Sequence, residues 1–175
     1  MSDGGYRDEP AGGARIRADV IDVYVVRACG AGHEFLQVLR AHEPLAGTWH
    51  PVMGHVERGE RAWEAALREL GEEVGLGRDD GALEGLFALE QVHPFYLAAL
   101  DCVVMSPRFV ALVRGGWEPT LNDEHSAHRW VGADEACAAA MWPGQKRAIE
   151  EIREEILRDG SIARERLRIA TRAGG

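Results

Sequence analysis

The order of apolar and polar positions divides the chain into short strands and helices. Residues 18–27 (ADVIDVYVVR) alternate at period two, which predicts a strand. Residues 33–40 read as its hairpin partner, joined through a turn at 29–32. Residues 49–53 predict a short strand that runs into Gly54. Over 61–74 the period changes. At about 100° per residue, Trp63, Ala66, Leu67, Leu70 and Val74 fall on one stripe of a helix. Gly75 follows as a left-handed cap, with Leu76 expected to fold back onto Leu70. Residues 83–92 and 95–106 are strand-like. The second run is so apolar that it is expected at the centre of a sheet. Shorter strands are predicted at 109–114 and 127–131, then helices at 133–141 and 143–157, the last opening on a proline. This order predicts an α/β fold, a mixed sheet with helices on both faces. A single domain is expected over 17–160, between flexible tails at 1–16 and 161–175.

Composition narrows the class. A chain of 175 residues with 46% hydrophobic content can bury a core of its own. No apolar run approaches a membrane-spanning length, and the start has no signal-peptide apolar region, so a cytoplasmic protein without a membrane partner is expected. The three cysteines, Cys29, Cys102 and Cys137, are widely spaced and read as free thiols. Net charge is −9, and Lys146 is the only lysine. Such a chain is a poor binder of nucleic acid polymers. It can still bind a small polyanion where a metal and a few arginines neutralise the phosphates.

The candidate chemistry sits on the helix at 61–74. Glu60, Glu69, Glu72 and Glu73 fall within fourteen residues. Like charges at i,i+3 and i,i+4 cost roughly 0.2–0.5 kcal/mol each on an exposed helix, and Gly71 costs about 1 kcal/mol more than alanine. The helix is therefore not arranged for its own stability. A divalent cation among the carboxylates would turn repulsion into attraction, and ligands that are all oxygen select Mg²⁺ first and Mn²⁺ next. Glycines at 54, 59 and 75 and the adjacent Arg68 set this segment apart from an ordinary solvated acidic face.

The 23 residues from Gly54 to Leu76 resemble the Nudix box, G-x5-E-x7-R-E-U-x-E-E-x-G-U with U a bulky aliphatic, at all nine constrained positions. The resemblance implies the Nudix α/β/α sandwich and Mg²⁺-dependent hydrolysis of a nucleoside diphosphate linked to another group. Carried onto this chain, it implies that Glu69, Glu72 and Glu73 hold the metal with the Gly54 backbone close by, that Arg68 orients a box glutamate, and that Glu60 supports the site from further away. Family members often take their general base from a later loop. Glu124, within Leu121-Asn122-Asp123-Glu124-His125, is the expected base and a further metal ligand, with Asp123 and His125 as neighbours able to replace it. Dimers are frequent in the family, so a homodimer is among the expectations.

Segments at 49–57, 94–96 and 122–130 resemble the dATP or dihydroneopterin triphosphate pyrophosphohydrolase branch, although Val52-Met53-Gly54 replaces the common Pro-Gly-Gly entry to the box. The expected reaction is hydrolysis of a nucleoside triphosphate to monophosphate and pyrophosphate. ADP-ribose, diadenosine tetraphosphate and a nucleotide-sensing module without catalysis are the alternatives. Trp49, Phe95, Tyr96 and Trp130 are available to stack on a heterocycle. Arg40 heads the arginines available to a phosphate, with Arg27, Arg108, Arg114 and Arg129.

Overall fold

The computed structural model describes residues 13–30 and 32–170. Of the tails expected at 1–16 and 161–175, residues 1–12 and 171–175 lie outside the described residues, as does Ala31. The described chain runs β1 (Arg15–Arg17), β2 (Val20–Cys29), β3 (Gly32–Arg40), β4 (Trp49–His50), β5 (Val52–His55), α1 (Ala62–Val74) and β6 (Leu83–Ala88). It continues through β7 (Phe95–Leu97), β8 (Cys102–Val104), β9 (Arg108–Val113), β10 (His125–Gly132), α2 (Ala133–Ala139), α3 (Pro143–Glu151), α4 (Ile162–Leu167) and β11 (Arg168–Ile169). Residues Ile152–Ile156 extend α3 as a π-helical turn.

The main sheet is mixed, in the order β10-β3-β2-β9-β6-β11, with β4 on β3 and β5 on β2. Strand β2 lies antiparallel to β3 and parallel to β9. Period-two alternation sends its side chains to two separate cores. Ile21, Val23 and Val25 pack with Phe109, Ala111 and the apolar stripe of α1. Tyr24 and Val26 pack with Val110, Ala148 and Ile152 on the other face. The result is the expected sandwich, with α1 on one side of the sheet and α2 and α3 on the other.

Helix α1 follows its sequence pattern closely. Its start is fixed by the Glu64 carboxylate, which accepts from the Arg61 N–H at 2.9 Å. Gly75 closes it with φ 73°. The Leu76 N–H then donates to the Leu70 carbonyl at 2.9 Å, and Leu76 is fully buried.

One expectation is overturned. Residues 95–106 do not form a central strand. Phe95, Tyr96 and Leu97 are exposed, a 3-10 turn covers Ala98–Leu100, and Asp101 takes a positive φ of 45°. The pieces β7 and β8 form a separate three-stranded sheet with β1. The centre of the main sheet is the β2–β9 pair, and β9 begins at Arg108, a residue whose charge hides its 3% exposure from sequence reading. Within the stretches expected as tails, Arg15–Arg17 pairs with β8, and Arg168–Ile169 extends the main sheet against β6.

Candidate active site

The loop before α1 and the helix itself build one wall of a cleft. Strand β5 ends at Gly54 and His55, and α1 packs against it. A Cβ placed on Gly54 would overlap the Glu69 carboxyl group, so only glycine admits that carboxylate here. The cleft, of about 350 Å³, is lined by Gly54, Arg68, Glu69, Glu73, Arg40 and Glu124 among others. It therefore gathers most of the residues expected at the site. Glu72 stands at its edge with a largely exposed side chain.

Arg68 organises the acids. Its guanidinium donates to both Glu60 carboxylate oxygens at 3.1 Å, to Glu69 at 2.9 Å, to Glu72 at 3.0 Å and to the His55 carbonyl at 2.8 Å. This ring of acceptors holds the Arg68 pKa above its usual value and lowers that of Glu60. It also draws Glu69 and Glu72 towards the cation. Among the described residues, no three carboxylate, imidazole or thiol groups stand preassembled around a metal position.

Glu73 is different. It is 3% exposed, and its Oε2 has no hydrogen-bond partner among the described residues. Burial first, then Glu69 and Glu124, push its carboxyl up to about 8. Facing it at 3.7 Å is His125 Nε2, also buried and unpartnered. The His125 Nδ1 donates to Asn122 Oδ1 at 3.3 Å. Burial, then His50 and Arg40, lower the His125 pKa to about 4, so its ring is neutral and Nε2 presents a lone pair. A carboxyl that keeps its proton up to about pH 8 thus faces a neutral ring nitrogen across 3.7 Å, too far for a hydrogen bond. A divalent cation in this cleft fits that gap, because it supplies the charge that Glu73 lacks.

Glu124 reaches the cleft from the opposite wall. Its backbone is tied to β3 by the Ala41 N–H at 2.8 Å, and its carboxylate accepts from Arg40 at 2.6 Å. The main chain of the same loop bonds the end of α1, with Asn122 N–H on the Glu73 carbonyl at 3.2 Å. Of the expected aromatics, Trp49 does not line the cleft and lies under the Arg129 guanidinium at 4.3 Å. Trp130 donates to Glu118 and sits beneath Arg27. Tyr96 lines a neighbouring cavity and donates to Asp101 at 2.7 Å. His125, named in sequence as a neighbour of the expected base, stands 5.3 Å ring to ring from His50, and Arg108, named among the phosphate-binding arginines, is instead paired in the interior with Asp22; His50 and Asp22 were not singled out as site residues by sequence. The only available signal was polar residues inside strand-like runs.

The family model described as "NUDIX domain" matches residues 19–152. A Sus scrofa protein named bis(5'-nucleosyl)-tetraphosphatase [asymmetrical] is 35% identical over 104 residues, covering 59% of this chain and 68% of that protein. The fold is similar to a C. elegans Ap4A hydrolase in a binary complex, with TM-score 0.65, 20% identity, and 79% and 96% of the two chains covered. It is also similar to the E. coli dihydroneopterin triphosphate pyrophosphohydrolase, with TM-score 0.63, 25% identity, and 75% and 92% covered. The box from Gly54 to Leu76, the sandwich around it and these matches agree, and the chain belongs to the Nudix hydrolase family, whose members act on pyrophosphate bonds.

Proposed function

We propose that this Nudix hydrolase cleaves a phosphoanhydride of a nucleoside triphosphate, releasing the monophosphate and pyrophosphate, with Glu69, Glu72 and Glu73 and the Gly54 backbone holding Mg²⁺, or Mn²⁺ in its place. The observation that carries the reading is the buried Glu73 carboxyl in the acid cleft, whose Oε2 has no hydrogen-bond partner among the described residues. A bound divalent ion would neutralise phosphate oxygens and acidify the attacking water. The chain's own groups do the rest. Arg68 fixes the directions of Glu69 and Glu72 through its four-way contacts. Glu124, partly exposed on the opposite wall, is placed to share the metal and to accept the water's proton. Arg40 holds that carboxylate in the resting protein and is placed to take a phosphate oxygen once substrate enters. Tyr96 is placed to meet a heterocycle from the neighbouring cavity.

A second reading, hydrolysis of a dinucleoside tetraphosphate, is favoured by the 35% identity to the Sus scrofa tetraphosphatase. Incubation with Mg²⁺ and a panel of nucleoside triphosphates, dihydroneopterin triphosphate, ADP-ribose and diadenosine tetraphosphate tests both, with products identified by mass. Pyrophosphate from a triphosphate supports the first reading. Asymmetric cleavage of the tetraphosphate alone supports the second. Glu73→Gln should lower turnover by roughly a thousandfold, since it removes charge stabilisation of the transition state. Normal turnover in that variant would remove the assignment.

A further inference from the structure

A second cavity, of about 510 Å³, adjoins the acid cleft, and Val20 and Met53 line both. Its polar floor is unusual. Arg108, 3% exposed, donates through Nε to Asp22 Oδ2 at 3.1 Å, while its Nη1 has no partner among the described residues. Ser106 Oγ, His93 Nε2 and both amide atoms of Gln145 are also buried and unpartnered. Buried polar atoms are hydrogen-bonded in the great majority of cases. The residues that carry these atoms line one cavity beside the acid cleft, where a ligand that draws them inward would supply the missing partners. Phe95, Tyr96 and Trp142, each about half exposed, stand at its mouth as apolar faces with little other packing.

We propose that this cavity holds the heterocycle of the substrate, and that Arg108 and Gln145 select a ring whose edge presents an exocyclic oxygen, then a ring N–H, then an amino group, the edge shared by guanine and pterins, over adenine. The proposal rests on the acid cleft being where the polyphosphate is cut. A guanidinium has donors only, so Arg108 Nη1 requires an acceptor. The exocyclic oxygen of guanine or a pterin provides one with two lone pairs. The neighbouring ring N–H and amino groups then meet the Asp22 carboxylate and the Gln145 carbonyl. Adenine carries an amino group at the same ring position, where donor would face donor. The aromatic mouth supplies stacking to any of these rings and so adds affinity without choosing among them.

The test reads binding and not turnover. The full chain in EDTA is titrated calorimetrically with guanosine monophosphate, dihydroneopterin monophosphate and adenosine monophosphate, none of which contains an anhydride. The expected result is that the guanine or pterin ligand binds at least about tenfold more tightly than the adenine one, the worth of one buried charged hydrogen bond. The tighter of the two identifies the natural ring. Gln145→Leu should weaken the guanine or pterin ligand several-fold and leave the adenine ligand unchanged. Trp142→Ala, at an exposed position that the core does not need, should weaken all three ligands several-fold. Equal binding of the adenine ligand, no binding at all, or an unchanged Trp142→Ala would overturn the proposal. Glu73→Gln should retain the binding while losing turnover. A failed titration therefore leaves the hydrolytic reading standing, and a normally active Glu73→Gln leaves the pocket standing.

Discussion

Gly54 has no Cβ, and the Glu69 carboxyl group occupies the space that one would fill. Replacing it with alanine forces a carboxylate away from the strand or the strand away from the helix. Overpacking of this kind costs about 1–3 kcal/mol. Gly54→Ala should therefore show a lowered unfolding midpoint in urea together with loss of Mg²⁺-dependent turnover. Unchanged activity would show that Glu69 need not approach the backbone. Glu73 makes a separate point at the same scale. Its carboxyl is raised from an ordinary 4.5 to about 8, with burial as the main cause. A group raised on folding favours the folded state below its unfolded value, and that contribution is lost as pH rises through the folded value. In EDTA the protein should lose stability between about pH 4.5 and 8 on account of Glu73, and Glu73→Gln should show a flatter profile in thermal melts across the same range. A wild-type profile as flat as the variant's would contradict the burial of that charge.

Helix α1 works as a unit because both of its ends are tied down. Gly75 takes a left-handed conformation, and a Cβ there would also approach Thr120 Cβ at 3.1 Å. Gly75→Ala should cost about 1–2 kcal/mol, since an L-residue is disfavoured in that conformation. In a chain of this size that amounts to a fall of roughly 2–8 °C in Tm. A Tm shift below a degree would show that the cap relaxes without cost. The helix was legible in sequence for a physical reason. Apolar stripe, acid stripe and cap are all local, separated by three or four residues and read at one period. The run at 95–106 was misread because an apolar stretch alone does not report whether the chain stays extended. Asp101, at a positive φ, and the 3-10 turn break it, and its two pieces become strands of a small second sheet.

At the scale of the whole molecule, two cores share one sheet, and the cleft opens where α1, β5 and the loop before β10 meet. A ligand that binds only the folded form raises its stability. Mg²⁺ should therefore raise the Tm of the wild type and leave Glu73→Gln nearly unchanged. The increase should be larger at pH 8 than at pH 5.5, because protons compete for the same carboxylate. Equal shifts in both proteins would place the ion elsewhere.

Local spacing along the chain was enough to specify the α/β class, helix α1 and the acids it carries, because a helix converts a short interval in sequence directly into a shared face. The opposing wall and the second cavity came from register. Arg40 stands beside His125 because β3 and β10 pair at those positions, and it takes the Glu124 carboxylate from 84 residues away. Asp22 meets Arg108 across 86 residues because they are direct partners in β2 and β9. Hydrogen-bonded strand pairing brings such distant residues together, and no interval in the chain encodes which strands become neighbours.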